Sequence, residues 1–152
     1  MAILQRLLVA FHVRVFRATG GRVMGRLGKG PILLLTTKGR ASGKLRTMPL
    51  IYVQDGEALV VVGSYGGSPK HPAWYRNLQK DPTCDVQTRD MKARMRAEDV
   101  PPGPERERLW QEFVAVWRSY DGSVQQRTSS GVSNHRPPAC CSQEGNPCRV
   151  KT

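Results

Sequence analysis

The fold is decided by residues 32–56, which read ILLLTTKGRASGKLRTMPLIYVQDG. Apolar runs of strand length occupy residues 32–37 and 48–54, and Asp55-Gly56 then gives a strong signal for a tight hairpin turn. A third strand, Ala58 to Ser64, follows that turn directly. Because so short a turn joins antiparallel neighbours, the stretch predicts an antiparallel sheet and argues against a Rossmann-type parallel sheet.

The remaining segments add helices and strands to this sheet. A first helix is predicted for Ile3 to Ala18, because apolar residues recur there at helical spacing and Gly20-Gly21 then stops the helix. Its predicted buried face consists of Leu4, Leu8, Phe11, Val15 and Ala18. The other predicted elements are a helix at residues 73–80, strands at 83–88 and 91–98, and a helix at 105–118. Several short strands with few helices predict a mainly β protein, a closed or nearly closed antiparallel barrel with flanking helices.

Positive charge is concentrated in the first third of the chain. The 152 residues include 24 Lys and Arg but only 12 Asp and Glu, and no acidic residue precedes Asp55. Residues 1–54 carry ten of the cations, a charge of +10, and the remaining 14 face all 12 acids, a charge of +2. A chain of this length is expected to form one domain. The basic half indicates a nucleic acid, an anionic lipid or a polyanionic small molecule as its partner.

The loop inside the opening stretch is built to hold an anion. Within nine residues it carries four cations, accompanied by two glycines and two hydroxyls: Lys38, Arg40, Lys44 and Arg46, Gly39 and Gly43, Ser42 and Thr47. Glycines permit close backbone approach, and the cations would bind a phosphate or a carboxylate. The spacing matches neither the P-loop nor the GxGxxG dinucleotide turn, so a solvated basic hairpin turn is the alternative interpretation.

A second motif, residues 62–78, reads VGSYGGSPKHPAWYRNL and points to recognition rather than to acid–base chemistry. Its glycines permit close backbone approach to a ring, Trp74 and Tyr75 offer aromatic surface, and Asn77 offers an amide. Such a set would suit a planar heterocycle. For Trp74 taken alone, a place in the hydrophobic core is the favoured interpretation.

Residues for metal or nucleophilic chemistry are not grouped in the sequence. The three histidines, His12, His71 and His135, are scattered and predict no metal site, and three of the four cysteines crowd the last 13 residues, which is no disulfide framework. If the protein is an enzyme, a cofactor does the chemistry. With no secretory signal and no run near the ~20 apolar residues of a membrane span, we expect a cytoplasmic protein. Contact of the basic first helix with the inner face of the plasma membrane is a secondary interpretation.

The two motifs, taken in order, give the chain a family resemblance. Residues 36–50 fit TTxGRxSGxxRxxPL, and residues 64–82 fit SxGGxPxHPxWYxNLxxxP. Together they resemble the deazaflavin (F420)-dependent nitroreductase family, over about residues 12–128. The resemblance implies a split β-barrel of the FMN-binding split-barrel type and binding of reduced coenzyme F420. It also implies hydride transfer to a quinone-type or nitroaromatic acceptor.

The resemblance further implies the site residues. The phosphate and the ring-proximal part of the cofactor would be held by Arg40, Ala41, Ser42, Arg46, Thr47, Met48, Pro49, Leu50 and Ile51. The backbone of Val62, Gly63, Ser64 and Tyr65 would line the deazaflavin, and Ala73, Trp74, Tyr75, Arg76 and Asn77 would complete the pocket. The family usually has Lys or Arg where Ala41 stands, a contact that Lys44 would partly replace, with Lys38 as the second candidate. Tyr120 is the candidate on the acceptor side, as a proton or hydrogen-bond donor, with helix-end packing as its alternative role.

The sequence departs from the family after residue 128. In place of an apolar final strand, residues 129–141 read SSGVSNHRPPACC. We therefore expect a helix at 1–21, a cofactor-binding barrel at 22–128 that lacks its last strand, and an aberrant, disordered tail at 129–152. Codons exist for residues 129–138 that encode an apolar ending when read one base along, and a frameshift is our hypothesis. Irregular spacing of the tail's His and Cys residues argues against a zinc site.

Three functions are compatible with these features. The leading one is an F420H2-dependent oxidoreductase, the second an FMN-binding split-barrel protein, and the third a basic nucleic-acid-binding module. Nucleic-acid binding would favour exposed aromatics interleaved with basic residues on a sheet face, whereas the aromatics here gather at residues 74–75 and 110–120. The sequence thus favours a small-molecule acceptor over nucleic acid, without indicating an oligomeric state.

Overall fold

The computed structural model describes residues 3–63, 71–116 and 147–151. Its helices are α1 (Ile3–Thr19), α2 (Ala73–Lys80) and α3 (Pro104–Val116). Its strands are β1 (Arg26–Leu27), β2 (Gly30–Lys38), β3 (Leu45–Asp55), β4 (Ala58–Val62), β5 (Thr83–Gln87), β6 (Lys92–Asp99) and β7 (Pro147–Lys151). No helix within these ranges has the length and the apolar character needed to cross a bilayer.

Six of the strands close into an antiparallel barrel. They follow the order β2-β3-β4-β7-β6-β5, and a further pairing of β2 with β5 joins the two ends. The short strand β1 pairs with the start of β2. The predicted hairpin at Asp55-Gly56 is present, with Gly56 at φ 61°, so that β3 and β4 pair as antiparallel neighbours. The prediction of a mainly β split barrel with flanking helices is confirmed.

Three apolar clusters stabilise the barrel. Alternate strand residues such as Leu33, Leu35 and Val61 fill its interior, and α2 contributes Trp74 and Tyr75 to the same cluster. A second cluster joins α3 to the outer face of the barrel: Val53, Val60, Val62, Val100, Leu109 and Phe113. A third joins α1 to the outer face of β2: Val13, Phe16, Ile32 and Leu34. Since β2 is covered on both faces, its sequence is continuously apolar rather than alternating.

The buried face of α1 is not the predicted one. Leu4, Leu8, Phe11 and Ala18 are exposed and Val15 is half-buried, while Val13 and Phe16 on the opposite face are buried. The helix carries apolar residues on both faces, and periodicity alone does not tell them apart. The outer face of β2 selects Phe16, whose ring packs so closely against Gly21 that a Cβ there would lie 2.9 Å from ring atom Cζ.

The barrel's last strand is present, which corrects the expectation that it is missing. Residues 147–151 pair with β4 on one side and with β6 on the other, so they form a strand rather than a disordered end of the chain. Cys148 and Val150 point into the interior cluster, because apolar side chains alternate along the strand. Residues 129–146 lie outside the described residues, and the division at residues 21 and 128 stays a prediction.

An ion-pair network fixes β7 to the rest of the fold. Arg149 of β7 donates to Asp55 at 2.7 Å and also pairs with Glu105 of α3. Asp55 accepts a second bond from Arg108 at 2.9 Å, and Arg108 also pairs with Glu112 at 2.6 Å. The hairpin turn, α3 and the last strand are thereby joined by charged side chains that are only partly exposed.

Candidate cofactor site

The basic loop is the connection between β2 and β3, residues 39–44. Two backbone bonds shape it, from Gly39 N–H to the Lys44 carbonyl at 2.9 Å and from Gly43 N–H to the Gly39 carbonyl at 2.8 Å. Gly43 has φ 66°, a conformation that favours glycine. A Cβ at Gly39 would lie 2.9 Å from Ser42 Oγ and 3.1 Å from the Lys44 carbonyl oxygen, so a side chain there would require both groups to shift.

The four loop cations stand in solvent without acidic partners. Lys38, Arg40, Lys44 and Arg46 are all exposed, and in the part of the chain that the structure describes none of them forms an ion pair. Like charges so close together repel one another, which an anionic ligand would relieve. The cluster therefore has the chemistry of an anion site. Ala41 and Ser42 lie at the exposed tip of the same turn.

Helix α2 contacts the basic loop directly, so the structure brings the two sequence motifs together. The side-chain oxygen Oδ1 of Asn77 accepts from Arg40 N–H at 3.1 Å, and its Nδ2 donates to Thr37 Oγ1 at 3.1 Å. Lys80 Nζ donates to the Arg40 carbonyl at 3.0 Å. These contacts span 37 to 40 residues of sequence.

The predicted cofactor residues on β3 border the loop. Arg46 is exposed, whereas Thr47, Met48, Pro49, Leu50 and Ile51 are half-buried. Thr47 Oγ1 is 2.8 Å from Thr36 Oγ1 and accepts a bond from Arg17 of α1 at 3.3 Å. The start of β3 thus offers one exposed charged side chain and a run of half-buried residues beside the cation cluster.

The second motif contributes less aromatic surface than its sequence suggests. Trp74 and Tyr75 are 5% and 1% exposed, inside the barrel cluster, so the favoured interpretation of Trp74 as a core aromatic agrees with its burial. Gly63 and Val62 are buried at the end of β4, and a Cβ on Gly63 would lie 3.5 Å from the Tyr75 ring. Ala73 and Arg76 are exposed on α2. The predicted residues Ser64, Tyr65 and Tyr120 lie outside the described residues.

Two buried thiols take no part in this site. Burial, with the carboxylates of Asp85 and Asp81, raises the pKa of Cys84 to about 12. Burial, with the carboxylate of Asp99, likewise raises the pKa of Cys148 to about 12. Both thiols stay protonated at neutral pH and are poor nucleophiles. Within residues 3–63, 71–116 and 147–151, no three His, Cys, Asp or Glu side chains are grouped to hold a metal ion.

Three residues of the site region were missed by the sequence interpretation. They are Arg17, which reaches Thr47 from α1, and Thr37 and Lys80, which flank the basic loop. Arg17 gave no signal, because only packing places α1 over β3. Lys80 follows Asn77 by three positions, and residues at that spacing share a helix face. That spacing could have pointed to Lys80 once Asn77 was singled out.

Comparison with known proteins places this geometry in a family. Residues 8–133 match the family described as F420H(2)-dependent quinone reductase. The chain is 38% identical over 106 residues to an F420H(2)-dependent quinone reductase of Mycobacterium tuberculosis strain H37Rv, an alignment that covers 68% of this chain and 71% of that relative. It is also similar to a solved structure of an F420-H2 dependent reductase, with 32% identity, a TM-score of 0.58, and coverage of 79% and 92% of the two chains.

A further solved structure, described as a domain-swapped dimer, has 27% identity and a TM-score of 0.59 and covers 91% of this chain and 97% of its own. The family model, the sequence relative and the first of these solved structures therefore agree on the cofactor class, and both solved structures share the fold. The chain belongs to the F420H(2)-dependent quinone reductase family, oxidoreductases of split-barrel fold whose cofactor is reduced coenzyme F420.

Proposed function

We propose that this protein reduces a quinone-type acceptor with F420H2 bound beside its basic loop. The observation that carries the proposal is the direct bonding of the loop to α2, because it joins the two motifs of the family into one site. When bound, F420H2 supplies a hydride to an acceptor beside it. The protein's part is to bind, to orient and to exclude water.

The loop residues suit the anionic end of such a cofactor. Arg40 and Arg46 present guanidinium groups, which bind phosphate and carboxylate oxygens in a bidentate manner, and Lys38 and Lys44 add point charges. Ser42 adds a hydroxyl at the tip of the turn. The small side chain of Ala41 contributes no charge, and Lys44, three positions further along the loop, would partly take over that contact.

In this proposal the ring end of the cofactor is contacted by residues 48–51, 62–65 and 73–76, whereas Asn77 is occupied by its bonds to Arg40 and Thr37. Backbone groups carry most of the recognition, because Trp74 and Tyr75 are buried in the barrel. Tyr120 is the candidate group on the acceptor side, where its hydroxyl would donate a hydrogen bond or a proton to the reduced acceptor oxygen. Tyr120→Phe is expected to lower the rate of quinone reduction while leaving the Kd for F420 unchanged.

The experiment is a titration of the purified protein with F420, FMN and single-stranded DNA in parallel. We expect saturable F420 binding that weakens about tenfold or more in Arg46→Ala, since a charge-assisted bond contributes about 1.5–3 kcal/mol. Arg96→Ala is the matched control, an exposed arginine on β6. Absent F420 binding with tight FMN or salt-sensitive DNA binding would overturn the proposal.

The acceptor class is tested with the same protein. F420H2 oxidation is followed by absorbance with a soluble quinone and with a nitroaromatic compound as alternative acceptors. We expect the quinone to be reduced with the higher kcat/KM. Nitroaromatic reduction with no measurable quinone turnover would contradict the assignment of the acceptor while leaving the cofactor assignment intact.

We also propose that α1 rests on the anionic inner face of the plasma membrane. The observation is its outward apolar face, on which five large side chains are exposed: Ile3, Leu4, Leu7, Leu8 and Phe11. Arg6 and Arg14 are exposed on the same helix, and no acidic residue precedes Asp55. A helix with apolar and basic surface of this kind binds at the headgroup level.

Vesicle co-sedimentation tests the membrane proposal. The protein is expected to sediment with phosphatidylglycerol vesicles at low salt but not with phosphatidylcholine vesicles, because the arginines require anionic headgroups. Leu8→Ser combined with Phe11→Ser removes exposed apolar contacts and should abolish sedimentation. Recovery of the wild-type protein in the supernatant with both kinds of vesicle would refute it.

A further inference from the structure

Both backbone groups of Arg40 are held by side chains of α2. Its N–H donates to Asn77 Oδ1 at 3.1 Å, and its carbonyl accepts from Lys80 Nζ at 3.0 Å. We call these two side chains the α2 clamp. The clamp fixes the peptide groups on either side of the Arg40 Cα, while the guanidinium of Arg40 stays exposed.

The Asn77 side chain is fixed in one orientation. It is 4% exposed, and its Nδ2 donates to Thr37 Oγ1 at 3.1 Å, where Thr37 is itself buried. Because a backbone N–H can only donate, the amide oxygen must face Arg40 and the amide nitrogen must face Thr37. Both ends of the amide are therefore engaged within the protein, which argues against a direct contact with a ligand.

The loop needs such support because of its own charge. Four cations crowd residues 38–46, and the turn itself is closed by the two backbone bonds of Gly39 and Gly43. Repulsion among the cations favours a more open loop in the absence of a ligand. An anion site gains affinity when its donors are held in place beforehand, since less ordering is required on binding.

We propose that Asn77 and Lys80 are positioning residues of the anion site, which act on the cofactor through Arg40 rather than by touching it. The α2 clamp holds the Arg40 backbone so that its guanidinium is presented to the anionic end of the ligand. This inference rests on the proposed function for the identity of the ligand, but the clamp itself is testable in the protein without cofactor.

A double-mutant cycle in F420 binding is the first test. Lys80→Met is expected to raise the Kd for F420 about fivefold, because a single hydrogen bond typically contributes about 1 kcal/mol. In an Arg40→Ala background the same change should have no further effect, since the clamp then has no guanidinium to position. Lys80→Arg keeps a donor at this position and should bind F420 with the wild-type Kd. Gln79→Ala, at an exposed neighbouring residue on α2, is the control and should also leave the Kd unchanged.

Steady-state kinetics give the same cycle a second readout. The KM for F420H2 should rise in Lys80→Met while kcat at saturation stays unchanged, because the clamp affects binding of the anionic end and not the transfer step. If Lys80→Met and Arg40→Ala weaken F420 binding additively, Lys80 contacts the ligand directly and the inference is overturned.

Amide hydrogen exchange without cofactor is the second test. Faster exchange across residues 39–44 is expected in Lys80→Met and in Asn77→Ala, with no change in the β5–β6 hairpin. Lys80 is exposed, so its variant is expected to fold even if Asn77→Ala does not. Unchanged loop exchange in Lys80→Met would overturn the clamp, whereas a wild-type protein that fails to bind F420 would instead overturn the proposed function.

Discussion

The role of β7 gives the sharpest prediction on stability, because the sequence suggests a disordered tail where the structure has a barrel strand. Val150→Ala removes two methyl groups from a side chain that is 0% exposed inside the barrel. Each buried methylene contributes about 0.8 kcal/mol, and the cavity left behind adds to the loss. We therefore expect the free energy of unfolding to fall by about 2 kcal/mol.

Urea denaturation followed by circular dichroism measures this change. With an m-value of about 2 kcal/mol/M, the midpoint should fall by about 1 M, and the Tm should fall by roughly 4–8 °C. Lys151→Ala is the matched control in the same strand. Lys151 is exposed and pairs with Glu98 at 3.0 Å on the surface, where an ion pair adds little to stability.

The two variants separate a packed strand from a disordered tail. If both change the free energy of unfolding by less than about 0.5 kcal/mol, residue 150 is not in the core and the reasoning fails. Arg149→Met provides a second test, which concerns the ion pairs of β7. The Arg149 side chain is 16% exposed and pairs with Asp55 and Glu105, so its loss should make the remaining stability less sensitive to salt.

Three further predictions concern the core, the thiols and the loop. Phe16→Ala should destabilise the protein by about 3–5 kcal/mol in the same assay, whereas Phe11→Ala, at a residue 59% exposed, should cost less than about 0.5 kcal/mol. The folded pKa values of Cys84 and Cys148 are raised from 9.0 to about 12, so the stability from these thiols is complete below pH 9 and is lost as the pH rises toward 12. In urea titrations between pH 9 and 10.5, the free energy of unfolding should fall by up to about 1.4 kcal/mol per pH unit for each thiol. The double variant Cys84→Ala with Cys148→Ala should lack this fall, and an equal fall in the variant and the wild-type protein would contradict the prediction. Gly39→Ala should weaken F420 binding severalfold in fluorescence titration, because its Cβ forces the loop to move, and an unchanged Kd would show that the tight turn is not needed.

Local sequence determined the elements whose signals lie within a few residues. Asp55-Gly56 predicted the β3–β4 hairpin, whose two-residue loop is Gly56-Glu57, because so short a loop constrains the strands on both sides. The helix at residues 73–80 was predicted at its observed bounds, because Pro72 precedes its first turn and Pro82 follows its end. The cation cluster of the loop was likewise visible in the sequence, since its members lie within nine residues of one another.

Tertiary structure decided which of several compatible surfaces is used. The sequence of α1 offers two apolar faces, and only the presence of Ile32 and Leu34 on β2 selects Val13 and Phe16 for burial. The last barrel strand lacks a strong apolar pattern, and it is recognised only because β4 and β6 provide unpaired edges on both sides of residues 147–151.

The contact between the two motifs is the part of the site that no local pattern contains. Taken by itself, the first motif could be interpreted as an anion-binding loop. The second, taken by itself, could be interpreted as a helix with buried aromatic side chains. Asn77 and Lys80 meet Arg40 across 37 to 40 residues because closure of the barrel brings α2 to the end of β2. The sequence by itself determined the charges and the turns of this site, and only the closed barrel decided which side chains hold them in place.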